Sequence, residues 1–259
     1  MVHFVGAGPG AKDLITLRGK SLIEEADVII YAGSLVNPEL LDYAKENCEI
    51  HDSSKLNLDE VIELIKAAEN EGKTTVRLHT GDPCLYGAIR EQMDILDDLG
   101  ISYDSTPGVS SFCGAAAALN MEYTLPGVSQ SVIITRMEGK TPVPAKESIE
   151  ALASHGATMV FFLSSFDTKG LSERLIKSGV SPKTPCAIVY KATWPQEKSF
   201  ICTLETLYET AVKNDIHKTA LIIVGEAVSQ NGYDKSKLYA PDFTTEFRTG
   251  IDKNANSKQ

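Results

Sequence analysis

Apolar positions along this chain fall into two recurring patterns. Short runs such as Val2-His3-Phe4-Val5, Val28–Tyr31 and Thr75–His79 read as strands. Between them lie stretches with apolar residues three and four apart. Residues 16–26 are amphipathic with Thr16 placed as an N-cap, and residues 59–71 put Val61, Ile62, Leu64, Ile65 and Ala68 on one face before Gly72. Residues 89–99 align Ile89, Met93, Leu96 and Leu99 and stop at Gly100. Pro107-Gly108-Val109-Ser110-Ser111 opens a helix of small residues over 112–119. The pattern breaks at Leu125-Pro126-Gly127 and restarts. Strands are expected at 131–135, 159–163, 186–190, 200–202 and Ala220–Val224, with helices at 147–154, 168–178 and 204–212. Such alternation predicts mostly parallel sheets faced by helices. The domain division expected is 1–119 and 120–241, both α/β, followed by a polar, patternless tail at 242–259.

Two loops stand where strands stop. Gly6-Ala7-Gly8-Pro9-Gly10 follows the first strand, and Thr80-Gly81-Asp82-Pro83-Cys84-Leu85-Tyr86-Gly87 follows the strand ending at His79. Glycine and proline at strand ends let backbone approach a ligand, so the pair predicts a small-molecule site walled by main chain, and hence an enzyme.

Composition narrows the class. With 259 residues, 42% hydrophobic and 23% charged, the chain has the make-up of a soluble globular protein. The formal net charge of −10 argues against a nucleic-acid partner, although a small anionic substrate needs only a local positive cluster. No apolar run reaches the roughly 18 residues of a membrane helix, and Met1 leads straight into a strand, so the expected location is cytoplasmic. The five cysteines are scattered, without C-x-x-C or a Cys/His cluster, which reads as reduced structural thiols and no protein-bound metal.

Gly6-x-Gly8-x-x-Ala11 satisfies the dinucleotide fingerprint in form. That fingerprint opens a helix at once, whereas Pro9 and Lys12-Asp13 lengthen this loop. The ribose-binding acid is also misplaced, since Asp27 precedes the second strand and Ala32-Gly33-Ser34 follows it. A dehydrogenase is therefore disfavoured.

The two loops, with Ala26-Asp27-Val28-Ile29-Ile30-Tyr31, Pro107-Gly108-x-Ser110-Ser111, Ala192-Thr193-x-x-Gln196 and the run 220–226, form an ordered series that closely resembles the tetrapyrrole (corrin/porphyrin) methyltransferases, from residue 2 to about 228. Tyr31-Ala32-Gly33-Ser34-Leu35-Val36 and the segment 78–93 are similar to the precorrin-4 and cobalt-precorrin-4 C11-methyltransferases. Uroporphyrinogen methylases usually carry Gly or Ala where Thr80 stands and Met where Leu163 stands. The resemblance implies two α/β domains with a cofactor cleft between them, a homodimer, S-adenosylmethionine as methyl donor, and an anionic tetrapyrrole of the cobalamin route as substrate. It places cofactor contacts at Pro9, Thr80, Gly81, Asp82, Leu85, Ser110, Ser111, Leu163, Ala192, Thr219 and Ala220. Methylases of the same fold acting at C17 or C20, a uroporphyrinogen or diphthamide-type methyltransferase, and a sensor of S-adenosylmethionine without turnover stand as alternatives.

Asp82 is the first choice for a catalytic carboxylate; the competing and favoured role is to fix its loop through backbone hydrogen bonds, as Asp does before Pro. Lys12, Arg90, Arg136 and Lys191 are candidate partners for substrate carboxylates, each also readable as an ordinary surface charge. His79 is either functional or a satisfied histidine ending a strand. Tyr86 and Phe162 pack on a ligand ring or in the core.

Overall fold

The computed structural model describes residues 1–251; of the tail expected at 242–259, residues 252–259 lie outside the described residues. The first half alternates as its pattern requires: β1 (Val2–Gly6), α1 (Leu17–Glu25), β2 (Val28–Tyr31), β3 (Glu49–Asp52), α2 (Leu58–Asn70), β4 (Thr75–His79), α3 (Arg90–Leu99), β5 (Tyr103–Thr106) and α4 (Ser111–Leu119). Local chemistry sets the ends. Thr16 accepts from the Gly19 amide to start α1, and Asn57 with Glu60 forms a reciprocal capping box at α2. Gly100 adopts φ +68° to stop α3.

These strands form one sheet in the order β3-β2-β4-β1-β5, and all four pairings in it are parallel. Its faces divide by the two-residue period of the strands. Val2, Phe4, Val28 and Ile30 pack with Val61, Ile65, Met93 and Leu96 of α2 and α3. On the opposite face Val5, Ile29, Val76 and Leu78 pack with Ile23 of α1.

After residue 120 come β6 (Val132–Arg136), α5 (Ile149–Ala153), β7 (Thr158–Phe162), α6 (Thr168–Lys177), β8 (Pro185–Tyr190), β9 (Lys198–Thr203), α7 (Leu207–Lys213) and β10 (Ala220–Val224). They build a second sheet, β6-β7-β10-β8-β9. It is mixed: β6 runs parallel to β7, whereas β10 pairs with β7 antiparallel. The chain packs into two compact units. One is Met1–Asn120 with Ile188–Phe200 and Asp215–Leu221; the other, among the described residues, is Met121–Ala187, Ile201–Asn214 and 222–251. In the described part of the tail, the Arg248 guanidinium donates to the carbonyls of Leu238, Ala240 and Phe243.

Candidate active site

Parallel strands β4, β1 and β5 are neighbours, so the loops leaving them emerge on one edge of the sheet. The Ala7 amide donates to the His79 carbonyl at 2.7 Å. Gly8 and Gly81 then exchange two backbone bonds, at 3.2 and 2.8 Å. The third loop joins at Gly108. A Cβ on Gly108 would stand 2.1 Å from the Gly81 carbonyl oxygen and 2.7 Å from the Gly6 Cα; one on Gly6 would stand 2.5 Å from the Gly108 Cα. Main chain fills that space, so no side chain fits. Asp82 closes the arrangement, with Oδ1 accepting from the Cys84 amide at 2.9 Å and Oδ2 from the Gly108 amide at 3.1 Å. Both oxygens are thus engaged by main-chain donors, the geometry of the loop-fixing role.

Helix α4 begins beside this junction. Ser110 occupies its N-cap position and is buried, yet its hydroxyl makes no cap bond. A Cβ on Gly81 would lie 3.5 Å from the Ser110 Cα and the Ser111 nitrogen, so Gly81, Ser110 and Ser111 line one small region. The segment 191–194, far along the chain, returns to cover the first loop. Thr193 Oγ1 accepts from the Ala11 amide at 2.9 Å, and the Trp194 indole donates to the Pro9 carbonyl at 3.1 Å. A Cβ on Gly10 would fall 2.1 Å from Trp194 Cδ1, so glycine is needed for the indole to lie there. The Lys191 amide donates to the Thr219 carbonyl at 3.0 Å, bringing Thr219 and Ala220 beside the turn that holds Ala192.

One compact unit therefore holds Pro9, Thr80, Gly81, Asp82, Leu85, Ser110, Ser111, Ala192, Thr219 and Ala220. Leu163 belongs to the other unit, directly after β7. Left-handed backbone falls at Leu163 and Thr219 of this set and at residues next to Leu85 and Ala192. Leu163 (φ 49°), Thr219 (54°), Lys191 (47°), Thr193 (68°) and Tyr86 (57°) are non-glycine residues with positive φ. Such conformations cost of order 1–3 kcal/mol each and gather at functional sites.

The candidate cations divide. Lys12 pairs with Asp42 at 2.9 Å over the Tyr43 ring, and Arg90 is held by Asp94 and Asp97. Arg136 donates to the carbonyls of Met137, Thr141 and Pro142. Lys191 stands 5.5 Å from the Trp194 ring. A fifth cation was not singled out by sequence reasoning. Arg77, in the middle of β4 and 7% exposed, donates to Gln92 Oε1 and the Ile30 carbonyl; burial lowers its pKa to about 10. His79 is 5% exposed and its Nε2 has no hydrogen-bond partner, which corrects the expectation of a satisfied histidine. Burial, and secondarily the Arg77 charge, push its pKa down to about 3, so the ring is neutral. An alternating strand pattern reads Arg77 as an outward polar residue; only the packing of α2 and α3 over that face reveals otherwise.

Similarity to known proteins bears on what these loops belong to. The relative from Methanocaldococcus jannaschii, a cobalt-precorrin-4 C(11)-methyltransferase, is 52% identical over 95% of both chains. A precorrin-4 C(11)-methyltransferase from Mycobacterium tuberculosis is 41% identical over 92% of this chain and 96% of its own. Among solved structures, a cobalt-precorrin-4 methyltransferase of cobalamin biosynthesis superposes with a TM-score of 0.86 at 44% identity, covering 88% of this chain and 95% of the other. The uroporphyrin-III C-methyltransferase of Thermus thermophilus, complexed with S-adenyl homocysteine, gives 0.76 at 26% identity, covering 89% and 99%. The family model for tetrapyrrole (corrin/porphyrin) methylases matches residues 1–208, which takes in the three glycine loops and the Thr193-Trp194 cover, and the chain belongs to that family.

Proposed function

We propose that the protein transfers a methyl group from S-adenosylmethionine to C11 of cobalt-precorrin-4 or precorrin-4 in cobalamin biosynthesis. The observation that carries this reading is the 52% identity, over nearly the full length of both chains, to a cobalt-precorrin-4 C(11)-methyltransferase. The first unit suits such a donor. Its strand-end loops offer main chain with no side chain intervening, the Ser110 hydroxyl is uncommitted by its cap, and the first-turn amides of α4 adjoin Gly81. S-adenosylmethionine, when bound, supplies an electrophilic methyl on a sulfonium, a reaction that needs alignment more than acid–base chemistry.

The chain's own work is orientation. Pro9, Thr80, Gly81, Leu85, Ser110, Ser111, Ala192, Thr219 and Ala220 are the residues we assign to holding the donor; Leu163 is kept in that set from the resemblance alone. Asp82 is assigned as a positioning residue that locks the second loop to the third. Trp194 and Thr193 tie down the first loop through its Pro9 carbonyl and Ala11 amide. Rigid placement of this kind is what a displacement with reacting atoms about 3–3.5 Å apart demands. The tetrapyrrole's cobalt, where present, is part of the substrate. A homodimer working in the cytoplasm completes the reading.

Calorimetric titration with S-adenosylhomocysteine, with NAD as control, tests the donor site; micromolar binding of the first and none of the second is expected. Methyl transfer to precorrin-4 with and without cobalt, with the product carbon located by 13C NMR, tests the rest. Methylation at C17 or C20 would move the protein to a sister reaction, and silence toward S-adenosylhomocysteine would overturn the reading.

A further inference from the structure

On the α2/α3 face of the first sheet, a cavity of about 290 Å³ opens beside the end of β4. Its volume sits at the lower edge of the roughly 300–1,000 Å³ of small-ligand pockets, so it suits one arm of a ligand and not a whole macrocycle. The polar groups lining it differ in how far they are already satisfied. The Ser53 hydroxyl donates to the Tyr31 carbonyl, and the Asn57 Oδ1 and backbone N–H are engaged in the α2 capping box. Gln92 accepts from Arg77 and donates to the Ala88 carbonyl. Two of the buried groups have unmet capacity. Among the described residues no carboxylate forms an ion pair with Arg77, and its charge is buried with only neutral acceptors. His79 Nε2, on the same face of β4 two residues on, has no partner. Glu91, the single acidic residue of the lining, is exposed in the first turn of α3.

A buried guanidinium without a counter-ion is strongly disfavoured, and a buried ring nitrogen without a partner adds to that. One ligand group answers both. A carboxylate would accept from Arg77 in a charge-assisted bond and from the Nε2–H tautomer of the neutral His79. We infer that Arg77 and His79 form a subsite for one carboxylate arm of the tetrapyrrole, fixing which way the macrocycle faces the methyl donor. This inference rests on the functional reading above, since that reading supplies the polycarboxylate. The methionine carboxylate of the donor shares the same chemistry, and the experiment separates the two sources.

The variant of choice is His79→Leu, because the ring has no hydrogen bond at Nε2 to lose and only its packing near Phe4 to replace. Steady-state methyl transfer to cobalt-precorrin-4 should show KM for the tetrapyrrole raised about tenfold, the equivalent of about 1.4 kcal/mol, with kcat much less affected. His79→Gln, which keeps an N–H donor, should recover part of the loss. Arg77→Lys should raise KM as well, and its thermal melt reports whether it folds. The Kd for S-adenosylhomocysteine should match the wild type in all three. An unchanged KM in His79→Leu would overturn the subsite while leaving the function intact. An equal weakening of S-adenosylhomocysteine would overturn it too, by giving the carboxylate to the donor. Wild-type protein that transfers no methyl group would sink the functional reading, and the subsite with it.

Discussion

Replacing Asp82 by asparagine separates the two roles open to this residue. In the native loop each carboxylate oxygen accepts one main-chain hydrogen bond, from Cys84 at 2.9 Å and from Gly108 at 3.1 Å. Asparagine has one oxygen, so one of those amides must face an NH2 group. A charge-assisted bond is worth about 1.5–3 kcal/mol, and an unsatisfied donor costs about the same. For a chain of this size each kcal/mol shifts the melting temperature by about 2–4 °C, so Asp82→Asn should melt about 3–12 °C lower. The damage falls at the junction of all three loops, so S-adenosylhomocysteine should bind more weakly as well. Thermal melts by circular dichroism, with and without that ligand, measure both effects. A general base would behave differently: loss of proton transfer reduces kcat by roughly 10²–10⁴ without touching the fold. A variant that melts within a degree of wild type and binds the ligand normally, yet has lost turnover to that degree, would refute the positioning role.

The remaining expectations concern the same sheet edge. Gly108→Ala places a Cβ 2.1 Å from the Gly81 carbonyl oxygen, a clash that only backbone movement relieves; it should lower stability by at least about 1–3 kcal/mol and abolish S-adenosylhomocysteine binding, and a calorimetric trace like wild type would refute this. Trp194→Phe retains most of the cover over Gly10 but loses the bond to the Pro9 carbonyl, so denaturant unfolding should show a loss of about 0.5–1.5 kcal/mol. His79 makes stability depend on pH. Its folded pKa lies near 3 because of burial, whereas the unfolded chain protonates near 6.5, so the unfolded state binds the extra proton. That contribution is complete above pH 6.5 and is lost as pH falls from 6.5 toward 3, amounting to about 2 kcal/mol at pH 5. Urea titrations at pH 7.5 and 5.0 should show this loss in wild type and not in His79→Gln; parallel behaviour of the two would contradict the buried neutral ring.

Elements with strong local signals are legible in the sequence itself. Thr75–His79 alternates polar with apolar residues and Ala220–Val224 is a continuous apolar run, and the bounds of both agree with the pattern to the residue. The α2 boundaries follow from a capping side chain and a glycine. Two strands left no such trace. Glu49-Ile50-His51-Asp52 and Tyr103-Asp104-Ser105-Thr106 lie on the two edges of the first sheet, where one flank is solvent and polar residues are tolerated. At the candidate site, glycine and proline announce the first two loops because close backbone approach permits little else, whereas Pro107-Gly108 reads only as the opening of α4 because the strand before it leaves no pattern. The Trp194–Pro9 contact links positions 185 residues apart, which no local pattern encodes. Arg77 was missed for a related reason: its burial, with no ion pair among the described residues, is a property of the residues packed around it.

The return of segment Ile188–Phe200 to the first unit bears on the order in which the molecule can be made. A nascent chain that has reached residue 120 carries all five strands of the first sheet, yet Gly10 still awaits the indole and the Ala11 amide still awaits Thr193. Synthesis must run on past Trp194 before the first loop acquires its cover. A fragment cut at residue 120 should therefore form a sheet with a loose loop and no competent ligand site. Long-range closure of this kind slows folding relative to a chain whose contacts are local. The three glycine loops are written early, and they become a site only when the chain comes back for them.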